Sequence, residues 1–178
     1  FTEFWRIETG KSLEGIEVRG TVRLTGRDEE GALARFEQLG ASIQRGADGY
    51  VVTPTFEGGR QKSERINLRV RVPDLGRVRL KTNNGSLVAS DASDGVEADS
   101  SNGTIELIDC RGDVRLSTGN GPISLTGGSG AVRASTGNGL VRVTDFNGLL
   151  DLETSNGGVD VSLSDDAKGA VQLRSSNG

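Results

Sequence analysis

The 178-residue chain has no histidine and no methionine, one cysteine (Cys110), one tryptophan, one tyrosine, three prolines and only 4% aromatic residues. Each scarcity removes a class of chemistry. Without histidine there is no Ser-His-Asp or Cys-His nucleophile, no imidazole proton shuttle and little prospect of a zinc centre. A lone cysteine cannot close an internal disulfide or build a thiolate cluster. It is expected as a free thiol in a turn without a redox role. A first residue of phenylalanine, with no methionine anywhere, suggests a processed or trimmed chain. No run of 18 apolar residues exists, so no membrane span is expected within these residues, and no signal peptide remains.

Glycine is plentiful where these residues are scarce: 27 of 178, about twice ordinary usage. Without a G-X-Y period collagen is excluded, leaving disorder or many tight turns. Internal repetition decides for turns. From Val78 the chain reads VRLKTNNGSLVASDASDG, VEADSSNGTIELIDCRGD, VRLSTGNGPISLTGGSGA, VRASTGNGLVRVTDFNGL, LDLETSNGGVDVSLSDDAKGA and VQLRSSNG. The Asn-Gly pair recurs at Asn84, Asn102, Asn120, Asn138, Asn156 and Asn177, with spacings of 18, 18, 18, 18 and 21. The three extra residues fall in Asp165–Ala170, where a loop can bulge outward.

Within each copy the apolar residues alternate with period two. Val78, Val96, Val114, Val132, Leu150 and Val171 head one column, with Leu80, Ala98, Leu116, Ala134, Leu152 and Leu173 two residues on. After the turn come Leu87, Ile105, Ile123, Val141 and Val159, then Ala89, Leu107, Leu125, Val143 and Val161. Each copy therefore holds two strands of about five residues, too little to be stable alone. Copies stacked about 4.8 Å apart would bury the columns continuously. The expected fold is all-β: a parallel β-solenoid with 18-residue coils, two short strands per coil. A meander of antiparallel hairpins is the alternative, since Asn-Gly also favours hairpin turns, but it does not require column identity from copy to copy.

The turn residues Asn84-Gly85, Asn102-Gly103, Asn120-Gly121, Asn138-Gly139 and Asn156-Gly157 are read as structural corners, because both residue types tolerate a left-handed backbone. The preceding column, Thr82, Ser100, Thr118, Thr136, Thr154 and Ser175, is expected to form a hydroxyl ladder. An ice-binding face would need ranks of paired threonines, and a calcium roll would need an aspartate in each G-G-x-G-x-D turn. The T-x-N-G turns offer neither. In-register stacking makes vertical neighbours of Arg79, Glu97 and Arg115, of Arg133 and Asp151, and of Arg142 and Asp160. Opposite charges so placed support register.

The first 77 residues are irregular and are expected to cap the stack of repeats (78–178) within a single domain, 1–178. Phe4–Ile7, Ile16–Val18 and Val22–Leu24 read as short strands punctuated by Gly10, Gly15, Gly20 and Gly26. Asp28–Leu39 has helical spacing (Ala32, Leu33, Phe36, Leu39), acids in its first turn and Gly40 at its end, predicting one short helix near the N-terminus. Tyr50–Val52 and Thr55–Phe56 read as a strand interrupted by Pro54, which favours an edge. Ile66, Leu68, Val70 and Val72 alternate with polar residues in a long strand leading into the first repeat without a linker.

Charge is uneven. Net charge is -4, yet between Arg60 and Lys81 there are eight basic residues against two acidic ones. The strip Arg65, Arg69, Arg71, Arg77, Arg79 and Lys81 is the candidate binding surface, for an anionic glycan, an acidic envelope protein or lipid headgroups. Nucleic acid is not expected, since no aromatics interleave the basic residues and the chain is acidic overall.

GTVRL (Gly20–Leu24), the charged helical insert, the strand closing on Val70-Arg71-Val72-Pro73 and the T/S-x-N-G repeats together resemble the bacterial adhesin-type β-strand-repeat family, also called toast-rack-like domains of unknown function. The resemblance runs from about Phe4 to Gly178. It implies a β-solenoid of either hand in an envelope or surface protein, beyond a signal or membrane segment outside these residues. The family has no established catalytic residues, so it transfers no catalytic site.

Two functions from different classes follow. The first is a non-catalytic, extracytoplasmic module for adhesion, scaffolding or partner binding. The second is a polysaccharide-active β-helix enzyme using a carboxylate pair, with Glu97 and Asp99 or Asp109 and Asp113 as candidates. No cofactor and no metal are expected under the first. The repeat breaks off at Gly178 before its second strand, so the chain is expected to continue or to pack end to end on another molecule.

Overall fold

A computed structural model gives the fold, describing residues 3–13, 16–26, 38–46, 49–59, 65–71 and 76–177. The chain forms two compact units, Phe1–Pro73 and Asp74–Gly178. Parallel coils belong to the second unit, and the described strands of the first pair antiparallel.

In the first unit, β1 (Glu3–Leu13) and β2 (Ile16–Gly26) pair antiparallel, and β5 (Arg65–Arg71) joins the other edge of β2. Gly10 and Gly20 do not punctuate these strands: both are spanned by unbroken pairing, opposite Arg19 and Thr9 respectively. Only Gly26 ends a strand, and Gly15 lies outside the described residues. β3 (Leu39–Gly46) and β4 (Gly49–Phe56) form a separate hairpin. β4 continues through Pro54 rather than being interrupted, and it has only β3 as a partner among the described residues. That satisfies the proline, which has no N–H to donate to a second neighbour. Of the helix expected over Asp28–Leu39, residues up to 37 lie outside those described, while Leu39 is buried in β3. The end of the long strand and its passage into the repeats, at 72–75, also fall outside them.

The second unit is the parallel solenoid. Its first face stacks β6 (Val78–Thr82), β8 (Val96–Ser100), β10 (Arg111–Thr118), β12 (Ser129–Thr136), the second half of β13 (Val141–Thr154) and β15 (Val171–Ser175). Its second face stacks β7 (Leu87–Ser90), β9 (Ile105–Ile108), β11 (Ile123–Thr126), the first half of β13 and β14 (Val159–Leu163). All these pairings are parallel, which excludes the hairpin meander. The register is the one the repeat demands: Val78, Val96, Val114, Val132, Leu150 and Val171 are successive partners.

Alternation places these columns between the two faces. Val96, Ala98, Val114, Leu116, Val132, Ala134, Leu150 and Leu152 from one side meet Ile105, Leu107, Ile123, Leu125, Val141 and Val143 from the other, and all are buried. Each of the three central coils contributes four such side chains, so no coil has a core of its own and stacking supplies it. β13 differs from the other strands by running through a corner. A register shift between Thr144 and Phe146, with Asp145 at φ 54°, turns Phe146 inward, where it is fully buried.

Candidate functional site

The T-x-N-G corner is built differently from the expectation. Among the described residues none of its asparagines or glycines has a left-handed backbone. Left-handed residues occupy the opposite corner: Asp91, Asp109, Gly127 and Asp145, spaced 18 apart, have φ of 59°, 51°, 68° and 54°. Their aspartates suit the short polar side chains that tolerate this region. Among the described residues they do not gather into a metal-ligating group. Glycine is needed at the Asn-Gly corner because coils touch there. A Cβ on Gly103, Gly121, Gly139 or Gly157 would collide with the carbonyl oxygen of the glycine one coil below.

The hydroxyl column also departs from the expected ladder. Its members do not bond one another. Thr118, Thr136 and Thr154 Oγ1 donate to the carbonyls of Gly103, Gly121 and Gly139 at 3.0, 2.9 and 3.0 Å, and Ser175 Oγ donates to that of Gly157 at 3.0 Å. At the three threonines, which are buried, hydroxyl and corner carbonyl thus satisfy each other across coils. Replacing Thr136 by valine keeps the volume but leaves the Gly121 carbonyl without this donor. It should cost about 1–3 kcal/mol, read as a lower urea midpoint, while Thr136→Ser should lose less than half as much.

The ladder along this corner is made by asparagine. Asn102 Nδ2 donates to Asn84 Oδ1 at 2.9 Å, and Asn120, Asn138, Asn156 and Asn177 each donate to the asparagine below at 2.7–3.0 Å. These amides are exposed and uncharged. Reading Asn-Gly only as a turn former misses this; the visible signal was that asparagine itself, not just any turn residue, recurs at the position.

Outward charges pair between coils as stacking predicts: Arg79 with Glu97 at 2.9 Å, Arg133 with Asp151 at 3.2 Å and Arg142 with Asp160 at 3.1 Å. Lys81 also reaches Asp99 at 3.6 Å and Arg174 reaches Asp151 at 2.9 Å. Both members of the first carboxylate candidate, Glu97 and Asp99, are thus exposed and opposite a cation. Asp109 and Asp113 are exposed on either side of the buried corner residue Cys110. Cys110 is a free thiol, and burial pushes its ionisation above the ordinary cysteine range.

The basic strip divides between the two units. In the second, Arg79 and Lys81 are paired and Arg77 is exposed. In the first, Arg65, Arg69 and Arg71 alternate along β5, and the sheet register extends them. Arg65 is opposite Arg23, which is opposite Arg6 on β1; Arg69 is opposite Arg19; Arg71 is opposite Glu17. Strand alternation places all of these, with Glu8, on one face. The other face aligns Ile66, Val22 and Ile7, then Val70 and Val18, with Trp5 opposite Leu24. One face of this three-stranded sheet therefore carries six arginines and two glutamates between Glu3 and Arg71. Arg6, Arg19 and Arg23 escape a search for linear charge runs because antiparallel pairing, not sequence proximity, brings them there.

No known protein family, curated protein or solved structure matches the chain. Its class is thus defined by fold alone: a parallel β-solenoid of about five coils.

Proposed function

We propose that the protein is a non-catalytic, extracytoplasmic module of the cell envelope or surface, acting in adhesion or scaffolding, whose arginine-bearing sheet holds an anionic glycan. The observation that carries this reading is the row Arg6–Arg23–Arg65 beside Arg19–Arg69. Like charges directly opposite on neighbouring strands destabilise a sheet. A linear polyanion laid across the rows turns that repulsion into attraction, and guanidinium forks suit carboxylate, sulfate and phosphate groups. The solenoid's contribution is mechanical: cross-coil pairing makes it a stiff body with long flat faces. The extracytoplasmic placement rests on the resemblance to the adhesin-type repeat family.

The test is retention on an immobilised polyuronate at low and high salt. Wild type should bind in a salt-sensitive way. Arg19→Glu/Arg69→Glu should weaken binding by about tenfold or more, a loss of about 1.4 kcal/mol or more, with the β circular-dichroism signal unchanged. Arg79→Glu, which removes a cation already paired in the solenoid, should bind like wild type. Equal binding by the double variant, or wild-type retention indifferent to salt, would overturn the reading.

A further inference from the structure

The repeat carries six Asn-Gly pairs, of which those from Asn84 to Asn156 stack along one corner, and Asn147-Gly148 adds a seventh elsewhere. The dipeptide is chemically labile. The glycine nitrogen can attack the asparagine Cγ, because glycine presents no side chain to hinder the approach. Whether it does so in a folded chain depends on the freedom of the amide and of the glycine backbone, and along this ladder the coils are not equivalent.

At Asn102, Asn120, Asn138 and Asn156 the amide is held at both ends. Nδ2 donates to the asparagine below and Oδ1 accepts from the one above. Expelling Nδ2 from any of these would break a ladder bond and leave the Oδ1 below without its donor. Their glycines are also clamped, with the carbonyl of the glycine below at the position a Cβ would take. Asn147 has a freer amide, its Oδ1 accepting from Lys168 N at 3.0 Å. Gly148, however, is pressed in the same way against the Gly130 backbone within the strand pairing of β13.

Of Asn84, Asn102, Asn120, Asn138, Asn156 and Asn147, Asn84 alone escapes both restraints. Its Nδ2 has no acceptor among the described residues, while its Oδ1 accepts from Asn102 Nδ2 at 2.9 Å. A Cβ at Gly85 would meet only the Thr82 side chain, at 3.2 Å or more, and the one side-chain bond to its backbone is a long one, Ser100 Oγ donating to the Gly85 carbonyl at 3.4 Å. The Asn102 Nδ2–H also points at the oxygen on which negative charge develops when Cγ is attacked, as a preorganised oxyanion donor does.

We propose that Asn84 is a site of intramolecular deamidation, a self-modification that places one new carboxylate at the foot of the ladder. Hydroxide removes the Gly85 N–H proton; the nitrogen attacks Asn84 Cγ; the new N–Cγ bond forms as Cγ–Nδ2 breaks. The departing nitrogen takes a proton from water and leaves as ammonia. Water then opens the succinimide, giving aspartate or isoaspartate at position 84. The net change is amide plus water to carboxylic acid plus ammonia, with no oxidation. The aspartate product suits this rung: position 84 only accepts, and a carboxylate accepts from Asn102 Nδ2 more strongly than an amide. In an interior rung the same product would set a carboxylate against the carbonyl oxygen below.

Folded protein is incubated at mildly alkaline pH in heavy-oxygen water, digested and mapped by mass spectrometry, with a urea-unfolded sample alongside. In the folded sample Asn84 should take up label about tenfold faster than Asn102, Asn120, Asn138, Asn156 or Asn147, a barrier difference of about 1.4 kcal/mol. Unfolding should abolish the difference, and the folded-state rate at Asn84 should rise with pH. Asn84→Asp should melt like wild type, whereas Asn120→Asp should melt lower. Uniform labelling of the sites in the folded protein, or an Asn84 no faster than the interior rungs, would overturn the proposal.

Discussion

Gly121→Ala should lower the stability of the solenoid by about 3 kcal/mol or more, at the upper end of what overpacking costs. The sign is the informative part. Gly121 does not have a left-handed backbone, and for such a glycine the alanine substitution ordinarily stabilises by about 0.4–1 kcal/mol through the unfolded chain. Here the added methyl would meet the Gly103 carbonyl, with the Thr104 nitrogen 3.2 Å away, and both belong to backbone held in the stack. Relief would require the coils to separate at that corner. Separation would stretch the Asn120–Asn102 bond of 2.7 Å and the Thr118–Gly103 bond of 3.0 Å, so the cost is shared among neighbours. Gly85→Ala is the internal control. It occupies the same place in the repeat, but only the Thr82 side chain lies near its would-be Cβ, so its effect should be within about 0.5 kcal/mol of zero. Urea denaturation with an unchanged slope measures both. Equal midpoints for the two variants would mean that coil contact is not what selects glycine at this corner.

The same pair of glycines marks how far the sequence could be read. Spacing by 18 pointed to the coil, the parallel register and the buried columns, because column identity from copy to copy is what a parallel stack requires and a hairpin meander does not. It was also sufficient for Arg79–Glu97, Arg133–Asp151 and Arg142–Asp160, since residues 18 apart become neighbours. The reason for each glycine was not legible. A left-handed turn and a close backbone approach leave the same letter in the sequence, and only the folded backbone distinguishes Gly127, at φ 68°, from Gly121. Nor was the threonine bond direction legible, because a hydroxyl can bond its equivalent or a carbonyl from the same position in the repeat. In the first unit the obstacle is different. Pairing of β2 with β5 joins Arg19 to Arg69 across 50 residues with no repeat to set the register. So three of the six arginines on that face were missed.

Phe146→Ala should be the most damaging truncation among the described core residues, costing about 3–5 kcal/mol. Phe146 is the largest fully buried side chain described. Its equivalents one, two and three coils below are Gly128, Cys110 and Ala92, so among the described residues it is the one fully buried bulky apolar group at that corner. Its position depends on the register shift in β13, which interrupts regular pairing between Thr144 and Phe146. Such a bulge disrupts the local ladder, and burying an aromatic ring is what offsets the loss. Truncation removes the ring and leaves the bulge, in a coil whose neighbours above and below are fixed by the ladders. The cavity therefore has little means of collapsing, which places the cost toward the high end. Phe146→Leu fills most of the volume and should lose about half as much or less. Val88→Ala, on the exposed outer face, should change the midpoint by no more than about 0.5 kcal/mol. Urea midpoints for the three variants separate the alternatives. If Phe146→Ala lost no more than Phe146→Leu, the corner would be collapsing onto the vacated space, and the ladders above and below would not be holding the coil apart.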